Sequence, residues 1–143
     1  MKYNISVLLM LMGLGFIRAQ RVGIQNNNPQ TMLDISGDLA TRAATLTLPE
    51  GNQSSLDLGP QVASYIRIEG PSLPFSIAGI KGGVDGKLLW LHNVAPGVMT
   101  LLHDNAGGQS GEKIKMAEGK NISLVSNGSA FLMYDATSGC WRI

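Results

Sequence analysis

The sequence predicts a mainly β protein, in which a short N-terminal stalk-like segment precedes an antiparallel β-sandwich or barrel-like knob. Apolar runs of six to eight residues recur through the last sixty residues, separated by Gly, Pro, Asn and Asp turn signals. None of these runs has the 3.6-residue period of a helix. Eighteen glycines and six prolines, with 15% charged residues, indicate tight turns rather than long solvated helices.

Residues 1–19 have the pattern of a secretory signal peptide, in which Lys2 precedes an apolar run and Ala19 precedes Gln20. The apolar run is about eleven residues long, whereas a bilayer span needs about 20. An N-terminal core helix is the alternative interpretation. We therefore expect a secreted or cell-surface protein that begins near Gln20 and has no membrane span after processing. Nine basic and ten acidic residues then remain, which argues against a nucleic-acid partner.

The chain contains one cysteine, Cys140. Small exported domains that depend on disulfides usually carry cysteines in even numbers. The predicted fold must therefore be stabilised by its own core or by partner chains. A packing role near the start of a strand, an intermolecular disulfide and a reactive thiol are the three interpretations of Cys140.

Residues 20–48 form the predicted stalk or collar. Short strands are expected at residues 21–24 and 32–35, with turns after each, while residues 39–48 begin like a helix and then alternate like a strand. Burying an aliphatic side chain yields about 1.5–3 kcal/mol, and ordering one residue costs about 1–2 kcal/mol in backbone entropy. The few large apolar residues of this segment cannot fold it alone. It needs another surface, either the C-terminal domain or further copies of itself.

Residues 49–143 form the predicted β-rich C-terminal domain. Strands are expected at 54–58, 63–69, 75–80, 87–94, 98–103, 113–116, 122–125, 130–134 and 141–143. Asn127-Gly128 predicts a hairpin between two of them, and residues 105–120 predict a surface loop with at most a short strand. The strand at 87–94 is apolar on both faces, so we expect it inside a sandwich or against a neighbouring chain.

The leading segment contains Val22-Gly23-Ile24 and Pro29, and the C-terminal region contains Tyr134-Asp135-Ala136-Thr137 followed by Trp141-Arg142. On these motifs the chain resembles phage tail-fibre proteins and Bacteroidetes-type bacterial surface proteins. Val22-Gly23-Ile24, Pro29 and the run LDISGDLATRA resemble a short motif of that group, although Gln25 stands where the group usually has glycine. The C-terminal region is similar to the accompanying domain at Asp85-Gly86, Leu101-Leu102-His103-Asp104, Lys113-Ile114, Tyr134-Asp135-Ala136-Thr137 and Trp141-Arg142. The resemblance implies an all-β fold and a homotrimer, with the leading segment as the start of a stalk in which three chains wind together.

The residues show no catalytic or metal-binding pattern. His92 and His103 are the only histidines, and neither has metal-ligand spacing. His103 and Asp104 are adjacent, which directs their side chains to opposite faces of a strand. The sequence has no G-x-S-x-G elbow and singles out no carboxylate pair. We therefore expect a protein that is not an enzyme and needs no cofactor or metal.

The aromatic residues are the remaining functional signal. Tyr65, Trp90, Tyr134 and Trp141 are spread singly among apolar strands, which is typical of core or interface packing, although exposed aromatics can stack on carbohydrate. Arg142 is expected to pair with Asp135. The candidate ligand or interface residues are Trp90, His103, Asp104, Tyr134 and Trp141.

Together these observations predict an exported structural or adhesive protein that is fibre-like and homotrimeric. Its knob would display loops such as residues 105–120 to a glycan or surface protein, and three weak sites on one body would gain avidity. A monomeric carbohydrate-binding module is the first alternative, and a small exported hydrolase is the second.

Overall fold

The computed structural model describes residues 22–24, 33–35, 37–59 and 63–143. Within these residues every regular element is a β-strand, which confirms the predicted mainly β class. The chain divides into a first unit that ends at Ala40 and a second unit, Thr41–Ile143. In the first unit, β1 (Val22–Ile24) pairs in parallel with β2 (Leu33–Ile35). The predicted signal peptide and the turn at 26–29 lie outside the described residues.

The second unit contains two sheets. Its strands are β3 (Ala43–Thr47), β4 (Tyr65–Glu69), β5 (Phe75–Ile77), β6 (Leu88–Asn93), β7 (Met99–Leu101), β8 (Ile114–Lys115), β9 (Ile122–Leu124), β10 (Ser129–Asp135) and β11 (Cys140–Arg142). One sheet has the order β3-β4-β6-β10-β11-β8, and the other has the order β5-β7-β9. Alternate side chains of both sheets enter one hydrophobic core, so the two sheets are packed layers of a single body.

The first part of this unit is a solenoid-like stack. We call one circuit of the chain through both sheets a coil. Strand β3 pairs in parallel with β4, β4 with β6, and β5 with β7. Residues that pair are 22 apart in the first case (Ala43 with Tyr65), 25 in the second (Tyr65 with Trp90) and 24 in the third (Phe75 with Met99). Each coil after the first therefore gives one strand to each sheet before the next coil begins. The predicted strand at 54–58 contributes only isolated bridges to this stack, at Gln53 and Leu56.

The C-terminal strands complete the stack. Strand β10 pairs antiparallel with β6, and β9 pairs antiparallel with β7, so in both sheets the last coil strand is followed by a strand of opposite direction. Strand β11 follows antiparallel to β10, and the short β8 then pairs parallel to β11. The expectation of antiparallel sheets is therefore wrong for the coils and for β8, and right for β9, β10 and β11. The physical reason is that a strand and its neighbour can be joined through a complete coil as well as through a tight turn.

The turn at Asn127-Gly128 is a corner between sheets, not the predicted hairpin. Strand β9 precedes it in the three-stranded sheet, and β10 follows it in the six-stranded sheet. Asn127 has a left-handed φ of 66°, a conformation in which asparagine is favoured, so the prediction of a turn at this position is correct. Its N–H donates to the Asn93 carbonyl (2.7 Å), and the Asn93 N–H donates to the Gly128 carbonyl (2.9 Å). The turn is thus bound to the corner after β6 rather than closing a two-stranded ribbon.

Asn93 is the centre of this corner. It is the only fully buried polar side chain among the described residues. Its side-chain NH₂ donates to the carbonyls of Gly97 (2.9 Å) and Leu124 (2.9 Å), and its Oδ1 accepts from the Ala95 N–H (3.1 Å). One amide therefore satisfies three backbone groups of two successive corners. The chain leaves β6 for the other sheet here, where β7 lies between β5 and β9.

The boundary of the second unit lies at residues 40/41, eight residues before the predicted one. Residues 43–47 resolve as strand rather than helix, and β3 pairs along its whole length with β4. The alternation of Thr45, Leu46 and Thr47 therefore outweighs the preceding alanines. Among the described residues, no helix is long and apolar enough to cross a membrane.

Candidate interaction surfaces

The outer side of the six-stranded sheet carries a run of exposed apolar side chains. Strands β6 and β10 alternate, and their inward residues Leu89, Leu91 and Leu132 are fully buried. The outward residues form what we call the apolar face: Leu88 (46% exposed), Trp90 (49%), Phe131 (45%) and Met133 (46%). Trp90 lies opposite Phe131 and Leu88 lies opposite Met133 across the antiparallel pair. Four large apolar side chains therefore lie side by side, each about half exposed.

The two aromatic rings of the apolar face contact each other. The ring centroids of Trp90 and Phe131 are 5.1 Å apart, and the ring planes meet at 67°. This edge-to-face geometry is favourable for aromatic pairs and adds to the cross-strand pairing of β6 with β10. The rings are consequently fixed relative to each other before any partner binds.

A polar and aromatic margin borders the face on the β4 side. Tyr65 lies opposite Trp90, and Arg67 lies opposite His92. The Tyr65 and His92 rings stack with centroids 5.9 Å apart, and the Arg67 guanidinium carbon lies 5.0 Å from the Tyr65 centroid. His92 Nδ1 is hydrogen-bonded to the Ser129 hydroxyl (2.7 Å). This margin offers charge and hydrogen-bonding groups beside an apolar centre.

An ion pair borders the face on the β11 side. Met133 lies opposite Arg142, whose Nε donates to Asp135 Oδ2 (2.9 Å), as the sequence predicted. The Ser138 hydroxyl donates to the same carboxylate (2.6 Å). These contacts, the Ser138 hydrogen bond first and the Arg142 hydrogen bond second, lower the pKa of Asp135 from 3.8 to about 2. The carboxylate is therefore held ionised in the folded chain.

The Asp135 contacts predict a specific acid sensitivity. Because folding lowers this pKa, the ionised group stabilises the fold fully above about pH 4, and this contribution is lost as pH falls towards 2. Asp135→Asn is expected to flatten the loss of thermal stability between pH 4 and 2. Ser138→Ala is expected to move the Asp135 pKa, measured by NMR titration, back towards 3.8. An unaltered Asp135 titration in Ser138→Ala would contradict this assignment.

Trp141 and Tyr134, two of the predicted site residues, lie inside the protein. Trp141 is fully buried, and its indole N–H donates to the Ile80 carbonyl (2.8 Å). The Tyr134 ring packs edge-to-face against it at 5.3 Å, and the Tyr134 hydroxyl donates to the Gly111 carbonyl (3.0 Å). Both side chains therefore belong to the core and not to the surface that presents Trp90. Cys140 is also buried, which favours the packing interpretation of its thiol.

His103 and Asp104 organise the turn after β7. His103 Nδ1 accepts from the Met116 N–H (3.0 Å), and the His103 N–H donates to Asn121 Oδ1 (2.8 Å). Asp104 has a φ of 39° and accepts from Lys113 Nζ (3.0 Å), whose hydrogen bond lowers the pKa of the Asp104 carboxyl. The structure places these residues in loop-to-strand contacts and away from Trp90. Within the described residues, no group of three or more His, Cys, Asp or Glu side chains could hold a metal ion.

The leading edge of the coil stack is a second surface left incomplete. Strand β3 is the end strand of the six-stranded sheet and contains no charged residue or proline that would discourage further pairing. The inward residues Ala44, Leu46 and Leu48 are only partly buried, whereas Ile66 and Ile68 in the next coil are 1% and 0% exposed. The trailing end has antiparallel strands over it, whereas the leading coil has no strand beyond β3 among the described residues of Thr41–Ile143.

The sequence identified Trp90 but not the residues around it. The available signal was the run SAFLMYD, which is apolar at both alternating sets of positions, as in the strand at 87–94. A strand that is apolar on both faces is expected to pack on both sides. Applied to β10, this rule selects Phe131 and Met133 as outward interface residues.

Comparison with known proteins returned no similarity: no protein-family model, curated protein or solved structure matches this chain.

Proposed function

We propose that this chain is an exported structural or adhesive protein without catalytic activity, which assembles as a homotrimer and acts as part of a fibre-like surface structure. The observation that carries the proposal is the leading edge of the coil stack, where β3 has no further partner strand among the described residues of Thr41–Ile143. Repeating coils need a cover at each end, because an end coil otherwise exposes its apolar side chains and unpaired strand. Here Ala44, Leu46 and Leu48 retain exposure, which favours completion by other chains.

Residues 105–120 support a display role. Ser55 donates to Glu112 (2.5 Å), and Tyr134 donates to the Gly111 carbonyl, so the middle of the segment is bound to the body of the unit. Residues 117–120 are all exposed. A loop that is bonded to the body at its middle and exposed at residues 117–120 can contact a glycan or surface protein without a large cost in conformational entropy. Three copies on one assembly would raise weak binding through avidity.

The first test of the proposal is the oligomeric state. The chain expressed with its leader and purified after export is expected to have three times the monomer mass in light scattering at micromolar concentration. Dilution should lower that mass, because association depends on protein concentration. A single mass equal to the monomer up to 100 µM would contradict the proposal.

A monomeric carbohydrate-binding module is the second candidate function, favoured by the exposed rings of Trp90 and Phe131 beside the polar margin. Sugar rings stack on such aromatic surfaces, and His92, Ser129 and Arg67 could bind hydroxyl groups. Glycan-array binding by a monomer, lost in Trp90→Ala, would favour this candidate over the fibre-like protein.

A further inference from the structure

We propose that the apolar face, Leu88, Trp90, Phe131 and Met133, is the surface through which one copy of this chain packs against a second copy. The inference rests on the proposed self-assembly and names a further contact between the copies. The face is distinct from the open leading edge, since it lies on β6 and β10 in the middle of the sheet. Its four residues are paired across one ladder, so they form one continuous strip.

The area of the strip fits a contact between protein chains. Large apolar and aromatic side chains offer roughly 150–250 Å² each, so four that are nearly half exposed present roughly 300–450 Å². A standard interface buries roughly 800 Å² on each partner, of which about 65% is apolar where identical chains meet. The strip therefore supplies most of the apolar centre that one such interface needs.

The distribution of charge also fits an interface with a dry centre. None of the four residues is charged, and the nearest outward charges are Arg67 on β4, Asp135 at the end of β10 and its partner Arg142 on β11. Interfaces are depleted of charge at the centre and have polar margins, with arginine, methionine and aromatic residues enriched. The strip with its two margins has this arrangement.

The chemistry favours a second copy over a sugar as the occupant. Leu88 and Met133 make up half of the strip and offer no hydrogen bond, so sugar hydroxyls above them would lose water without a replacement partner. An equivalent strip of another copy brings a single side-chain hydrogen-bonding group, the Trp90 indole N–H. In a rotationally symmetric assembly, strips placed near the axis would meet their equivalents and bury all four side chains.

Phe131→Glu tests this contact. The exported variant is expected to associate at least roughly 30-fold more weakly than the wild type in sedimentation equilibrium, because a buried aromatic at an interface centre is replaced by a charge. Leu73→Glu is the matched control, since Leu73 is 65% exposed and lies outside the strip. Near-ultraviolet circular dichroism from the buried Trp141 reports whether each variant keeps its fold.

Cross-linking gives a second readout that does not require a destabilising charge. Under mild oxidation, Trp90→Cys is expected to form interchain disulfides, whereas Leu73→Cys is not. The inference is overturned if the wild type is trimeric and both Phe131→Glu and Trp90→Cys behave like their controls, which leaves the proposed function standing. A monomeric wild type overturns both, and so does glycan binding by a monomer that is lost in Trp90→Ala.

Discussion

Replacing Asn93 by alanine is expected to lower the free energy of unfolding by about 3–5 kcal/mol. The change removes three hydrogen bonds at a fully buried site and takes the amide donor away from the Gly97 and Leu124 carbonyls, while the Ala95 N–H keeps its bond to the Ile68 carbonyl (3.1 Å). Each buried polar group left unpaired costs about 1–3 kcal/mol, and local relaxation recovers part of the sum. Both corners that are hydrogen-bonded to the Asn93 side chain are affected, so we expect them to lose stability together. Chemical denaturation at fixed protein concentration measures it.

Asn121→Ala is the matched control for Asn93. Asn121 also holds a backbone N–H, that of His103 (2.8 Å), but it is exposed and makes one such bond. Water can replace a lost partner at an exposed site, so we expect a loss of about 0.5–1.5 kcal/mol. Equal losses for the two asparagines would show that the buried corner is not the special feature that its geometry indicates.

Replacing Trp141 by alanine is expected to cost about 3–5 kcal/mol, the usual range for a large aromatic removed from a core. The side chain is 0% exposed, contacts the Tyr134 ring and donates to the Ile80 carbonyl, so the change leaves both a cavity and an unpaired acceptor. Trp141→Phe should recover much of the packing but not the hydrogen bond. Thermal and chemical unfolding of the three proteins separate these contributions.

Trp90→Ala provides the comparison within the same chain. Trp90 is half exposed, so its removal from a dissociated chain is expected to cost less than about 1.5 kcal/mol. If this variant unfolds as readily as Trp141→Ala at concentrations where the chain is dissociated, the assignment of one tryptophan to the core and the other to a surface is wrong.

Strand positions were predictable from the sequence because alternation is a local signal. The apolar set Leu89 and Leu91 marks β6, and the alternation of Thr45, Leu46 and Thr47 marks β3. The predicted short strand near residue 114 was also correct. Each of these predictions depends on neighbouring residues only, which is the information that a single sequence carries best.

Strand partners were not predictable in the same way. A turn such as Asn127-Gly128 permits a hairpin, but it permits a corner equally well, and the choice depends on a hydrogen bond to Asn93, 34 positions earlier. Parallel pairing between coils joins residues that are 22–25 positions apart, and no pattern among neighbouring residues indicates it. The same limit applies to Trp90, whose strand is apolar on both faces, so only the packed sheets decide that Trp90 lies outside.

The position of Trp141 within the chain also bears on when the core of the second unit can form. The two sheets share a core whose largest fully buried side chain is supplied by β11, the last of the described strands. A chain under synthesis lacks that side chain until residue 141 has been added. Pairings between distant residues also form slowly. The earlier strands are therefore made before the core that they share can be completed.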